Sequence, residues 1–219
     1  MGNTYGSIHI KVENEQQVVQ MLFDELAGKP NEYEQLLENE KHLEKHFNVE
    51  PCEEWTAFLE RMAKEFRPEF FVVIADGWLS LYDGNMSYTD APKMARRFAK
   101  KIKDPIVYTS CFDGDIFVFG LIEKGKTKTS GRACESSEIY GIKEKQAKME
   151  EFYRIAGVPM LDQKMKMPSD VMELEELLTS IMPVPLIVYD ENDFKSLAEE
   201  YELIEEVRGI RVFKVKYKK

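Results

Sequence analysis

The sequence predicts an α+β fold in which an antiparallel sheet is built on two hairpins. Two runs rich in β-branched and aromatic residues begin after Pro68 and Pro105, and each ends in an Asp-Gly pair. A second β-rich run follows each pair directly. Asp-Gly between two such runs is typical of a type I′ turn, which needs positive φ at both central residues. The turns are therefore predicted at Asp76-Gly77 and Asp113-Gly114, a spacing of thirty-seven residues.

This spacing gives the middle of the chain a helix–hairpin order that occurs twice. An internal duplication is one interpretation, and chance recurrence of common turn residues is the other. Because strands arrive mostly as hairpins with helices between them, the pattern favours α+β over alternating βαβ units. We expect the helices to pack mainly on one face of the sheet.

The N-terminal third is predicted to contain one strand and three helical segments. Residues 7–12 alternate apolar and polar side chains, which predicts a strand with one buried and one solvated face. Asn14, with Gln17 three residues later, has the pattern of a helix start. The helical segments are predicted from Asn14 to Gly28, weakly over the charged residues 30–50, and from Pro51 to Pro68.

The rest of the chain continues this mixture of elements. Residues 1–150 are predicted to form the main α+β domain, and residues 151–219 a smaller C-terminal α/β element that is either separate or part of the same domain. The predicted elements are a helix starting at Thr89 or Asp90, a polar strand or loop over 127–134, helices over 143–156 and from Asp170 to Pro183, a strand over 186–189, a helix from Asn192 or Asp193 through Tyr201, and a closing strand over 211–217.

Composition narrows the class of protein. With 219 residues, 43% of them apolar, the chain is long and apolar enough for a globular core. It contains no run approaching the roughly 20 apolar residues of a membrane span, and its first residues lack the pattern of a signal peptide. Cys52, Cys111 and Cys134 are odd in number and widely spaced, which favours reduced thiols and a cytoplasmic protein.

Charge is distributed unevenly along the chain. The formal net charge is −10, of which residues 1–60 carry −9, residues 61–150 carry +3 and residues 151–219 carry −4. An acidic surface attracts a basic protein and repels nucleic acid and anionic lipid. The exception is a helix with six basic residues between Lys93 and Lys103, including Arg96 and Arg97. This helix either forms a nucleic-acid or phosphate patch, or is an amphipathic helix whose polar face meets solvent or the acidic N-terminal third.

Candidate chemical motifs are sparse, and each has an ordinary structural explanation. His42 and His46 are spaced i and i+4 as in zinc proteases, but Glu44 lies off their face and further ligands are missing. Asp113 and Asp115 could hold a divalent cation, or could simply form a turn. We predict no metal and no cofactor. Cys111 is expected to be a buried structural thiol.

Aromatic residues on the two hairpins give a last pair of candidates. Trp78 and Tyr82 either line a ligand pocket or belong to the core. The binding candidates are thus Trp78, Tyr82, Asp113, Asp115, Arg96 and Arg97.

Taken together, these features predict a non-catalytic, acidic interaction or regulatory protein, such as an inhibitor of a basic partner. A metal-dependent hydrolase with a site near Asp113 and Asp115 is the alternative. The sequence leaves the oligomeric state open.

Overall fold

A computed structural model describes residues 4–27, 32–47, 52–65, 70–83, 86–158, 166–186, 201–207 and 210–215. It confirms a mixed α+β fold with a mostly antiparallel sheet. The strands are β1 (Tyr5–Lys11), β2 (Phe70–Ala75), β3 (Trp78–Asp83), β4 (Ile106–Phe112), β5 (Ile116–Glu123), β6 (Lys126–Cys134), β7 (Tyr201–Val207) and β8 (Ile210–Val215). The helices are α1 (Glu15–Leu22), which continues into a π-helical turn (Phe23–Ala27), α2 (Glu32–Phe47), α3 (Glu53–Glu65), α4 (Asp90–Phe98), α5 (Ser137–Tyr140), α6 (Met149–Ala156) and α7 (Val171–Ile181).

The eight strands form one sheet in the order β6-β5-β4-β1-β3-β2-β8-β7. Every neighbouring pair is antiparallel except β2 and β8, which are parallel. β1 lies at the centre, between β3 and β4. The antiparallel pair β2–β3 therefore lies on one side of β1 and the pair β4–β5 on the other.

The connections within these two strand pairs are short and contain the two Asp-Gly sequences. Asp76 and Gly77 have φ of +50° and +74°, and Asp113 and Gly114 have φ of +53° and +75°. Glycine adopts this left-handed region without penalty, and aspartate is among the residues that tolerate it best. Positive φ at both residues is the conformation that a type I′ turn requires.

Helices cover both faces of the sheet, so the prediction of helices mainly on one face is wrong. On one face, here called the α4 face, Ile8, Leu79 and Leu81 pack with residues of α1 and α4. On the opposite face, here called the α7 face, Phe117 and Phe119 pack with residues of α6 and α7. The physical reason is that the central strands carry large apolar side chains on both sides, and each side must be removed from water.

The prediction of a solvated face on β1 is also wrong. Of the three residues expected on that solvated face, Ser7 and His9 are completely buried on the α7 face, and Lys11 is half-buried. Polar residues on a strand normally indicate exposure, but here they bond to one another inside the molecule.

The C-terminal segment contributes to the same sheet. α6 and α7 pack on the α7 face, and β8 pairs with β2. The predicted strand over 186–189 and the helix ending at Tyr201 fall mostly outside the described residues, and Tyr201 itself begins β7. Within the parts of the chain that the structure describes, no helix combines the length and apolar character needed to cross a membrane.

Candidate interaction surface on helices α2 and α3

Helices α2 and α3 pack principally on each other, and one end of this pair is exposed. Residues 41–47, the C-terminal half of α2, are all exposed, as are most residues at the start of α3. A hydrogen bond of 2.9 Å from Thr56 Oγ1 to Glu40 Oε2 links the two helices. We call the exposed end, residues 41–47 and 53–58, the α2–α3 tip.

The tip carries large apolar side chains that the protein does not bury. Phe47 is 67% exposed and Trp55 is 46% exposed, and Leu43 and Phe58 are exposed as well. The rings of Trp55 and Phe58 are stacked, with centroids 5.3 Å apart and planes 18° apart. Isolated exposed apolar residues are ordinary, but a contiguous group of them marks a surface for interaction.

The helical spacing explains why these residues share a face. Leu36, Leu43 and Phe47 recur at i, i+7 and i+11, which places them on one side of α2. On α3, Leu59 and Ala63 are buried at i and i+4. Burial therefore uses the second half of α3 and leaves the aromatic residues of its first half in contact with solvent.

The same two helices are acidic. Together they contain nine glutamates and four lysine or arginine residues, for a net charge of −5. Within the tip itself, three glutamates and two lysines give a net charge of −1. A partner complementary to the two helices as a whole would combine apolar and basic groups.

Part of the acidic N-terminal third is neutralised within the molecule. Glu25, in the π-helical turn, forms ion pairs with Arg97 of α4 and with Lys101, which follows α4. The first pair has 2.7 Å between Nε and Oε2. Its side chain is only 11% exposed. The basic helix therefore docks against the acidic third through Arg97, whereas Arg96 on the same helix remains exposed.

The two histidines of α2 lie side by side at the tip. The ring centroids of His42 and His46 are 4.2 Å apart, and both side chains are exposed. Among the residues that the structure describes, no group of three or more His, Cys, Asp or Glu side chains is arranged to hold a metal ion.

Asp113 and Asp115 lie in the turn between β4 and β5. The backbone N–H of Asp113 donates to Thr4 Oγ1 at 3.1 Å, and Tyr140 Oη donates to Asp115 Oδ2 at 2.9 Å. This bond to the carboxylate raises the pKa of Tyr140. Phe112 packs edge-on against Tyr140, with 6.2 Å between ring centroids. Through these contacts the two aspartates connect the β4–β5 turn to Thr4 and Tyr140.

Trp78 and Tyr82 are buried in the core on the α7 face. Tyr82 Oη donates to the Pro185 carbonyl at 2.6 Å, and Lys11 Nζ lies 5.9 Å from the centroid of a Trp78 ring. The six residues predicted from the sequence are therefore distributed over the core, the β4–β5 turn and helix α4. They do not form one site.

Cys111 is buried on the same face, as expected for a structural thiol. Burial, reinforced by the charges of Glu175 and Asp115, raises the pKa of Cys111 to about 11. A thiol with such a pKa is protonated at neutral pH and is a poor nucleophile. Burial also raises the pKa of the Glu175 carboxyl, which accepts a hydrogen bond of 2.7 Å from Tyr5 Oη.

Sequence reasoning missed a buried polar cluster at the centre of the α7 face. Ser7 Oγ is 2.9 Å from His9 Nε2 and 2.6 Å from Thr109 Oγ1, and His9 Nδ1 is 2.8 Å from Ser80 Oγ. Complete burial lowers the pKa of His9 to about 3, so the ring is neutral at physiological pH. The cluster becomes visible only when the strands are paired, because Ser7 lies opposite Thr109 and His9 opposite Ser80.

No protein-family model matches this chain, and neither a curated protein nor a solved structure matches it. The functional argument therefore depends on the surfaces described above.

Proposed function

We propose that this protein is a non-catalytic interaction protein that uses the α2–α3 tip to cover a basic, partly apolar patch on a partner protein. Inhibition or regulation of that partner is the activity such coverage would give. The observation that carries the proposal is the exposure of Phe47 and Trp55 within an acidic pair of helices.

The energetic argument concerns what the tip would gain on binding. Aromatic side chains buried at the centre of an interface supply much of its binding energy, and Trp is prominent among such residues. The net negative charge of α2 and α3 together accelerates association with a positive partner and disfavours an acidic one. Trp55 and Phe58 already stack on each other, so they offer a pre-ordered apolar surface.

The state of the thiols supports a cytoplasmic setting for this interaction. Cys52 is exposed and free, and Cys111 and Cys134 are buried and free. An exposed free thiol is suited to a reducing compartment.

We do not favour a metal-dependent hydrolase centred on Asp113 and Asp115. Asp115 already accepts a hydrogen bond from Tyr140, and no third metal-binding side chain joins the two aspartates among the described residues. No specific observation recommends this alternative over the interaction surface.

The test compares a tip variant with a matched surface variant. Phe47→Ser with Trp55→Ser removes the exposed aromatics, and Ile139→Ser removes an apolar side chain of α5 that is also exposed. Affinity capture from the native host with each full-length protein identifies candidate partners, and calorimetry with the purified candidate follows.

A basic protein that binds the wild type and the Ile139 variant equally, and the tip variant at least about tenfold more weakly, supports the proposal. The absence of any basic partner, or a basic partner that binds all three proteins equally, contradicts it.

A further inference from the structure

A second surface lies on the α4 face, where strands β5 and β6 continue beyond helix α4. α4 packs on β4, β1 and β5. Strand register places Tyr108 opposite Gly120, and Gly120 opposite Ser130, so the three residues form a row across β4, β5 and β6. Tyr108 belongs to the apolar cluster of this face, and Ser130 is half-buried.

The absence of a side chain at Gly120 makes room for the Tyr108 ring in this row. A Cβ atom at Gly120 would lie 2.3 Å from Tyr108 Oη, so only glycine lets the tyrosine ring lie across β5. The Tyr108 ring therefore lies over Gly120, which is the neighbour of Ser130 in this row. Ser130 Oγ in turn accepts a hydrogen bond of 2.6 Å from Lys145 Nζ.

Positive groups surround these hydroxyls from separate parts of the chain. Burial raises the pKa of the Tyr108 hydroxyl, and the positive charge of Arg96, on the neighbouring helix α4, partly opposes this rise. Arg132, two residues after Ser130 on β6, donates through Nε to the Lys143 carbonyl at 2.7 Å. The backbones of Arg132 and Lys145 also exchange hydrogen bonds of 2.8 and 2.9 Å, which hold Lys145 beside β6.

We define the cationic ledge as Arg96, Tyr108, Ser130, Arg132 and Lys145. It is a local concentration of positive charge and hydroxyl groups on a protein of net charge −10. The ledge combines residues of two basic segments that the sequence keeps apart, one in α4 and one in and after β6.

We propose that the cationic ledge binds a single phosphoryl group. A phosphoryl group has three oxygens that accept hydrogen bonds in different directions, and the ledge offers two guanidinium groups, an ammonium group and two hydroxyls. A planar carboxylate would use fewer of these donors. The inference is independent of the proposed function of the α2–α3 tip, because the two surfaces share no residue.

The structure favours one phosphoryl group over a polynucleotide. A nucleic-acid site needs several cations in line with successive phosphates. Arg97 of α4 and Lys101 just after α4, which would extend the row beyond Arg96, are instead paired with Glu25. The overall negative charge also repels an extended polyanion.

The test is calorimetry on the full-length protein with three probes. Inorganic phosphate and glycerol phosphate distinguish the free ion from a phosphate monoester, and acetate is the planar anion for comparison. Arg96→Gln and Lys145→Gln each remove one positive charge from the ledge. Lys64→Gln removes an exposed positive charge from α3 and serves as the matched control. Thermal melting verifies that each variant is folded.

We expect saturable binding of phosphate or its monoester by the wild type and by the Lys64 variant. Each ledge variant should bind about tenfold more weakly, as expected for the loss of a charge-assisted hydrogen bond. Phosphate binding that is absent in the wild type, or equally strong in folded ledge variants, overturns the proposal. So does acetate binding as tightly as phosphate, or a generic oligonucleotide binding more tightly with a steep dependence on salt.

Discussion

Phe119 on β5 and Phe47 on α2 are residues of the same type in opposite surroundings. Phe119 is completely buried, with its ring centroid 5.1 Å from that of Phe152 on α6, whereas most of the Phe47 side chain is exposed. The sheet has a helical layer on each face to cover its aromatic residues. Helices α2 and α3 pack principally on each other, and the tip keeps its aromatic residues in solvent. The comparison teaches that an apolar stripe on a helix favours burial of that stripe, but does not predict whether the same protein or a partner buries it.

The largest expected effect distinguishes these two aromatic groups directly. Phe119→Ala should lower the free energy of unfolding by about 3–5 kcal/mol, because it removes a fully packed ring and leaves a cavity. Phe47→Ala should change that free energy by no more than about 0.5 kcal/mol, because the ring is already largely hydrated. Urea denaturation of both variants measures the difference. Similar losses in the free energy of unfolding for the two variants would mean that Phe47 is buried in solution, which would contradict the comparison.

A second, smaller effect concerns pH and the polar cluster of the α7 face. The pKa of His9 falls from 6.5 to about 3 on folding, so between these values the unfolded state binds a proton that the folded state excludes. Stability is therefore complete above the unfolded pKa and decreases as the pH falls towards the folded one. For one proton, the loss between about pH 8 and pH 5 should be about 2 kcal/mol.

Chemical denaturation at several pH values, with His9→Asn beside the wild type, tests this linkage. The variant should be less stable at neutral pH and should lack the decrease associated with His9. If both proteins lose stability equally over this range, the exclusion of a proton by His9 is wrong.

The smallest expected effect concerns the acidic and basic segments on the opposite side of the sheet. Glu25→Gln removes the partner of Arg97 and Lys101, and should cost about 1 kcal/mol because both cations are substantially solvated. It should also increase binding of a generic oligonucleotide at low salt, since two cations are released. The wild type should bind negligibly at physiological salt. Tight, salt-sensitive binding by the wild type would show that Glu25 does not restrain the basic helix.

The mixed α+β class with a mostly antiparallel sheet could be predicted largely from local turn chemistry. The backbone preferences of an Asp-Gly pair are local, so turns at Asp76-Gly77 and Asp113-Gly114 could be predicted between β-rich runs before any tertiary contact was known, and both pairs have positive φ. The start of α1 was equally local, because Asn14 Oδ1 accepts from the backbone N–H of Gln17 at 3.2 Å. The internal duplication stays a prediction.

The interior of the sheet was harder to predict because it depends on pairing across long separations. His9 looked like a solvated strand residue, and its burial follows from partners on β3 and the cover of the C-terminal helices. The row of Tyr108, Gly120 and Ser130 likewise exists only once β4, β5 and β6 have paired. The exposed stripe of Leu36, Leu43 and Phe47 was visible as a pattern, but its lack of internal cover was not.

The parallel pairing of β2 and β8 has a consequence for how the chain reaches its fold during synthesis. Phe70 on β2 lies opposite Ile210 on β8, 140 residues later in the chain. At typical translation rates β2 is complete about ten seconds before β8 leaves the ribosome. Throughout that time a strand of six buried, apolar residues has one unpaired edge. Such an edge is a template for unwanted pairing with other chains, so the last strand acts as the protein's own protection against aggregation.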